Sequence, residues 1–333
     1  MYAKLWMRSA RWAAGLASAT VAASFLTIAT PAPPAHADLL PYIPWSSYLP
    51  GWTDRYVPTS DNDCVAGRPS CLQATLKEQS RIADQTASTC SHNAIFARAY
   101  VRMTQLYGYT RAIPGYYQDV PYFNHVDAVF ARYYTDAYYS WQSGNRAAVP
   151  QAWLTALDAA KNKKVSGSGD LLLGMNAHIN RDLPYVMAAA GIVAPDGSSR
   201  KVDYDAVEAW LYDATAPLIA EFAARFDPSI DDTADPFGIG NFALFQLVSA
   251  WRENAWRNAE ALVSAPTSAA RALVSATIET EANTAAQAIL TSQSYVPLLT
   301  STAPRDTFCA AHDGDAPPAP YAFGNADAWG YAY

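Results

Sequence analysis

A helical period of apolar residues extends over most of the chain. Apolar positions recur three and four residues apart, and Ala and Leu, which favour helices, are frequent in these stretches. The predicted helices cover residues 72–87, 92–108, 122–141, 150–161, 170–191, 204–226, 235–265 and 268–290. The connections are short, and no Asn-Gly hairpin joins two alternating stretches. The pattern therefore predicts an all-α, single-domain bundle of about eight helices over residues 71–299.

Local signals indicate where several of these helices begin, end or bend. Ser91 has the position of an N-cap residue for the second helix, and Gly108 would end that helix. Asp170 and Asp203 are the expected N-caps of the fifth and sixth helices. Pro217 lies inside the sixth helix, where a proline removes a backbone hydrogen bond, so we expect a kink there.

Three flanking segments have a different character. Residues 1–37 combine basic residues, an apolar stretch and the tripeptide Ala-His-Ala, a pattern typical of a secretory signal peptide cleaved near Ala37. Residues 38–70 are rich in Pro and aromatic residues, which predicts an extended arm that lies on the globule. Residues 300–333 are rich in Pro, Gly and Ala and predict an irregular tail.

Composition and charge narrow the class of protein. The chain is 51% hydrophobic and 16% charged, which excludes intrinsic disorder. The net charge is −7, and it becomes −10 when three of the 23 basic residues leave with the signal peptide. Such a charge argues against a nucleic-acid partner. After residue 37 no stretch reaches the roughly 18 apolar residues of a transmembrane span, so we expect an exported protein, secreted or in the cell envelope.

The four cysteines are an even number, as expected for disulfides in an oxidising compartment. Cys64 and Cys71 enclose a turn with Gly and Pro, so a local bridge between them is geometrically easy. That pairing leaves Cys90 with Cys309. The sequence by itself leaves all three connectivities open.

The predicted helix over residues 170–191 is apolar on nearly every side, as in a helix that is buried all round. Four polar residues are set into it. His178 and Asp182 are four residues apart and share one face, whereas Asn176 and Asn180 share a nearly opposite face. Buried polar groups of this kind need partners, because each one left without a hydrogen bond costs roughly 1–3 kcal/mol.

Two hypotheses explain this polar cluster. The spacing of His178 and Asp182 suits two metal ligands or an acid/base pair. The same residues also suit a buried polar network that fixes the register of the helix. Pro184 adds to the pattern, because it cannot donate to the carbonyl of Asn180 and so predicts a bend.

Residues 171–184, with the sequence LLLGMNAHINRDLP, resemble the signature of an uncharacterised family of bacterial, mostly actinobacterial, helical proteins. Residues 127–138 and 252–256 resemble two further motifs of that family. The resemblance covers residues 91 to about 262. It implies a helical fold and a shared polar cluster, and it implies no known activity.

The stretch from His178 to Asp182 is also similar, more distantly, to the His-x-x-x-Asp element of zinc-dependent phospholipases C and single-strand nucleases. This chain has no His-x-x-x-Glu element and few further histidines, which puts a trinuclear site in doubt. The resemblance remains compatible with one divalent metal, such as zinc, held by His178, Asp182 and one or more of His125, Asp127 and His92. Three such ligands and a water suffice for a catalytic zinc.

These observations give two function hypotheses. In the first, the protein is a metal-dependent hydrolase of a phosphoester or lipid, in which His178 and Asp182 bind the metal and Asp127 is a ligand or base. The residues expected to contact the substrate are Asn176, Asn180, Tyr134, Arg252 and Trp256. In the second, it is a non-catalytic cell-envelope protein that binds a small hydrophobic or sugar ligand, and the polar cluster only stabilises the core.

Overall fold

The computed structural model describes residues 51–230 and 239–312, and it confirms the all-α fold. The helices in these ranges are α1 (Pro69–Ala87), α2 (Ala94–Thr110), α3 (Val120–Gln142), α4 (Gln151–Lys161), α5 (Gly167–Met175), α6 (Leu183–Ala190), α7 (Lys201–Arg225), α8 (Ile239–Ser264), α9 (Ser268–Gln293) and α10 (Ala303–His312). The described part of the chain contains two isolated β-bridges and no strand. The predicted signal peptide lies outside the described residues.

One continuous rod, residues 167–190, runs through the middle of the fold. It consists of α5, a π-helical segment (Asn176–Asp182) and α6. Pro184 has no N–H to donate, and the preceding Leu183 N–H donates to the carbonyl of His178, five residues earlier. The wider turn of the π-helix thus accommodates the proline that predicted a bend. Such segments are frequent at functional sites.

The rod joins two adjoining clusters of the hydrophobic core. Leu183 and Met187 belong to a cluster that includes side chains of α1, α2, α3, α7 and α8. Leu173 and Ala177 belong to a second cluster with side chains of α1 to α4 and α9. All four side chains are buried, in agreement with the prediction that this apolar helix lies in the core.

Two aspartates that were predicted to be N-caps have other partners. The Asp203 carboxylate accepts the backbone N–H groups of Gln118 and Asp119, at 2.7 and 2.9 Å, and so secures the start of α3. Ser166, instead of Asp170, caps α5 by accepting a backbone N–H of the first turn. Asp170 is buried in that turn and binds a side chain of α10. Both carboxylates therefore connect elements that are distant in sequence.

Helix α2 and the C-terminal segment differ from the sequence prediction. Helix α2 begins at Ala94 and continues through Gly108, because tertiary packing offsets the cost of about 1 kcal/mol of a buried helical glycine. Pro217 lies inside α7, as the sequence predicted. The segment predicted to be an irregular tail contains α10, which the Cys90–Cys309 disulfide holds on the body.

Both disulfides have the pairing that the spacing favoured, Cys64–Cys71 and Cys90–Cys309. The short loop closes through Gly67, which has φ +67°. A Cβ there would lie 1.7 Å from the carbonyl oxygen of Pro121, so the turn requires glycine. In the described part of the N-terminal arm, Trp52 and Tyr56 pack against the core, as predicted. None of the described helices combines the length and the apolarity needed to cross a membrane.

Candidate functional site

An apolar cavity of about 190 Å³ lies between α2, α3, the rod, α7 and α8. Its apolar wall includes Phe96, Ala99, Met103, Phe123, Phe130, Leu171, Met175, Leu183, Met187, Val207, Leu218 and Val248. Along α2 the lining extends over eleven residue steps, about 16 Å at 1.5 Å per residue. The volume is slightly larger than that of an engineered cavity of about 150 Å³ that binds benzene. The cavity therefore suits a small, mostly apolar molecule.

His178 lines this cavity, and Asp182 orients its ring through a hydrogen bond at Nδ1. The imidazole Nδ1 lies 3.1 Å from Asp182 Oδ2, which also accepts the indole N–H of Trp153 at 2.8 Å. Arg181 donates to the other oxygen of Asp182 at 3.0 Å. Because Nδ1 faces a carboxylate, we infer that it carries the proton and that Nε2 keeps its lone pair. Burial lowers the pKa of His178 despite the neighbouring Asp182, so the ring is neutral at pH 7.

Aromatic rings hold the imidazole from several sides. Phe130 stacks on His178, with ring centroids 3.5 Å apart and an angle of 5° between the rings. Tyr100 contacts it edge-on at 4.5 Å, and Phe96 and Trp153 complete the surroundings at 5.9 and 5.8 Å. These contacts leave little freedom for the ring to rotate. Its orientation is therefore fixed before any ligand binds.

Besides Arg252 Nε, which lies 3.8 Å from Glu208 Oε1, four buried polar atoms on cavity-lining side chains have no hydrogen-bond partner in the described part of the protein. They are Tyr100 Oη, Thr104 Oγ1, Asp127 Oδ2 and His178 Nε2. They come from α2, α3 and the π-helical segment. Each such atom costs roughly 1–3 kcal/mol when it stays unpaired, and native structures contain few of them. A water or a polar group of a ligand would satisfy them.

Burial raises the pKa of two acidic groups of the cavity, Asp127 and Tyr100. Burial raises the pKa of Asp127 to about 7, against the opposing effect of Arg111. Burial and, to a smaller extent, Asp127 raise the pKa of Tyr100 well above its usual range. At neutral pH the cavity wall therefore offers one nitrogen lone pair, the hydroxyl donor of Tyr100 and a carboxyl group that is protonated in a large fraction of the molecules.

Arg252 is a further predicted site residue that lines the cavity. Its guanidinium lies over the Tyr204 ring, 4.2 Å from the centroid, and donates to the Tyr204 carbonyl. Its Nε lies 3.8 Å from Glu208. The structure thus brings His178, Asp127 and Arg252 to one cavity.

Four residues that were predicted to contact substrate do not line the cavity. Asn180 donates to Asn176 at 2.9 Å, and Asn176 donates to the carbonyl of Ala282 at the same distance, so the pair connects the rod with α9. Tyr134 packs among core aromatics, and the indole of Trp256 donates to Glu260. The described contacts of these residues stabilise the fold.

The predicted metal ligands do not converge. The two ring nitrogens of His125 lie 3.0 Å from the Cys64 carbonyl and 2.8 Å from the Asp54 carbonyl, and His125 is not among the cavity-lining residues. Both oxygens of Asp182 are engaged by donors. Within residues 51–230 and 239–312, no three His, Cys, Asp or Glu side chains are grouped to hold a metal ion. The structure therefore gives no support to a metal held by His178, Asp182 and His125.

Tyr100 and Thr104 were missed by the sequence analysis. They are four residues apart on α2 and so share one face of a largely apolar, buried helix. That spacing is the same signal that drew attention to His178 and Asp182. In the sequence alone this pair does not stand out, because aromatic residues are frequent throughout the chain.

A model described as a family of unknown function matches residues 72–292, a range that includes all the cavity-lining residues. No curated protein and no solved structure matches the chain. Nothing in these comparisons supports the resemblance to zinc-dependent phospholipases C.

Proposed function

The chain belongs to DUF5995, a family of unknown function, and we propose that it binds a small, mostly apolar molecule in the cavity beside His178. The observation that carries this proposal is that side chains lining an apolar cavity carry four buried polar atoms without a hydrogen-bond partner among the described residues. Apolar area removed from water contributes about 25 cal/mol per Å² to affinity. The few polar atoms would orient the ligand by binding its polar group.

The alternative, a purely structural polar cluster, explains only part of the site. It accounts for Asn176 and Asn180, whose amides bond to each other and to α9. It also accounts for Asp182, which receives hydrogen bonds on both oxygens. Within the described residues it leaves His178 Nε2, Asp127 Oδ2 and Asn180 Oδ1 without partners. A ligand in the cavity would pair with His178 and Asp127, which line it, and for this reason we favour binding.

Filling the cavity is expected to weaken ligand binding strongly. A naphthalene-based dye that fluoresces in apolar surroundings should bind the purified protein with one-to-one stoichiometry. Ala99 lines the cavity, and Ala99→Phe places a ring inside it, so the dye affinity should fall by at least about tenfold. The matched control is Ala272→Phe on the exposed face of α9, which should bind like the wild type.

Circular dichroism of each variant checks that the helices are retained. Equal dye affinity of Ala99→Phe and the wild type would place the dye elsewhere and refute binding in this cavity. Loss of binding in Ala272→Phe as well would show that the effect is not specific to the cavity.

We also propose that the protein is exported and acts outside the cytoplasm. The two disulfides are compatible with an extracellular protein. N-terminal sequencing of protein recovered from the culture medium and cell envelope of the source organism is expected to begin near Asp38. Recovery of only the uncleaved chain, from the cytoplasm, would contradict this proposal.

A further inference from the structure

The polar atoms on the cavity-lining residues differ in chemistry, since one is a proton acceptor and others belong to O–H groups. This combination suits one class of reaction. His178 Nε2 is a lone-pair acceptor, because Nδ1 faces Asp182 at 3.1 Å. Tyr100 Oη is a hydroxyl, and Asp127 Oδ2 is a buried carboxyl oxygen. The Tyr100 and His178 rings are in edge contact, with centroids 4.5 Å apart, and Asp127 lines the same cavity. One cavity is thus lined by a base and by two residues that carry O–H groups.

The protonation states support this division of roles. Burial raises the pKa of both Asp127 and Tyr100 and lowers that of His178. At neutral pH the histidine can accept a proton, Tyr100 can donate a hydrogen bond, and so can the protonated fraction of Asp127. Neutral O–H donors in an apolar site are suited to a negative charge that develops on a ligand oxygen.

The residue types that line the cavity suit few kinds of reaction. Among the described residues that line the cavity there is no Ser, Cys or Lys, and most of the lining side chains are apolar. A reaction that consumes neither water nor a second reactant suits such a wall. Proton transfer between two positions of one bound molecule is a reaction of this kind.

Resting on the binding proposed above, we propose that the ligand is an apolar carbonyl compound and that His178 moves a proton within it. His178 Nε2 takes a proton from the carbon next to the carbonyl, the C–H electron pair forms a C=C bond, and the carbonyl π pair moves to oxygen. Tyr100 and Asp127 donate hydrogen bonds to that oxygen. The imidazolium then returns the proton to the same carbon, and the carbonyl reforms. In a ligand with a neighbouring C=C bond, the proton can instead go to the far end of the conjugated system, which moves the double bond.

The surroundings of His178 suit a ring that becomes transiently charged. The Asp182 carboxylate stabilises the imidazolium, and Trp153 and Arg181 hold that carboxylate in place. The Phe130 ring lies parallel to the imidazole and keeps it facing the cavity. No oxidant, reductant or nucleophile is required, and all atoms of the ligand are conserved.

The test uses cyclohexanone as the probe and the full chain as the protein. In D₂O, NMR follows the exchange of the protons on the carbons next to the carbonyl, relative to buffer and to free imidazole at equal concentration. We expect faster exchange with the wild type, a loss of about 100-fold in His178→Gln and of about tenfold or more in Tyr100→Phe. The control His312→Gln alters an exposed histidine on α10 and should exchange like the wild type.

Tyr100→Phe removes a single oxygen and retains the ring packing, so it remains informative if His178→Gln does not fold. Displacement of the dye by cyclohexanone measures binding separately from exchange. If cyclohexanone displaces the dye and wild-type exchange does not exceed that of His178→Gln and Tyr100→Phe, proton transfer is refuted and ligand binding stands. If the dye binds and cyclohexanone does not displace it, the carbonyl ligand is refuted. Absence of dye binding would refute the proposed function itself.

Discussion

Removing the Cys90–Cys309 disulfide, as the double variant C90S/C309S, is expected to lower the free energy of unfolding by about 5 kcal/mol. The two cysteines are 219 residues apart, so the bridge closes a loop that spans most of the fold. Without it, the unfolded chain gains the entropy of that loop. Because single domains are stable by only about 5–15 kcal/mol, such a loss takes up a large part of the total.

The other disulfide provides a matched comparison. Cys64 and Cys71 are seven residues apart, and the same loop-entropy relation gives about 2.5 kcal/mol for C64S/C71S. Guanidinium unfolding of both double variants, monitored by circular dichroism, measures the two losses under identical conditions. Equal losses would contradict the loop-entropy explanation.

Contacts of α10 determine how much the free energy of unfolding falls in C90S/C309S. Arg305 donates to Asp170 at 2.6 Å, in a buried ion pair, and also lies 3.7 Å from Asp227. His92 bonds to Asp306 at 2.9 Å. Burial, with Arg305 as the next cause, lowers the pKa of His92 to about 4. If these polar contacts keep α10 docked without the disulfide, the native state stays intact and the loss comes from the unfolded state alone.

The fold was largely predictable because helical periodicity is a local property. Apolar positions three and four residues apart located the helices, and an apolar surface on nearly every side predicted that the helix over residues 170–191 is buried, where the structure has the rod over residues 167–190. The i,i+4 spacing also predicted the contact of His178 with Asp182, since a helix fixes that geometry. The spacing of Cys64 and Cys71 predicted the short disulfide for a similar reason.

The site was predictable only in part, because convergence of distant residues is not a local property. The sequence placed His125 near His178 as a metal ligand, but the backbone carbonyls of Cys64 and Asp54 lie against its two nitrogens. The cavity itself depends on five elements of the fold and has no signature in any one of them. Tyr100 becomes a candidate only in the folded structure, where its ring contacts His178 and its hydroxyl has no partner among the described residues.

Asp127→Asn is expected to stabilise the protein at alkaline pH and to leave its stability almost unchanged at pH 4. Burial raises the pKa of this carboxyl from 3.8 to about 7, so between these values the folded state binds the proton and the unfolded state has lost it. Stability therefore falls as the pH rises from about 4 to about 7. At 1.36 kcal/mol per pKa unit, the fall amounts to about 4 kcal/mol.

The asparagine variant lacks the ionisation in both states, and so it lacks this contribution to the pH dependence. Urea unfolding at pH 4, 6 and 8.5 is expected to show a stability difference between the variant and the wild type that grows with pH. Subtracting the two curves isolates Asp127 from Asp170, whose pKa burial also raises to about 7. A difference that stays constant with pH would show that Asp127 is not buried in the folded protein as described, and the role given to its carboxyl at the cavity wall would fail with it.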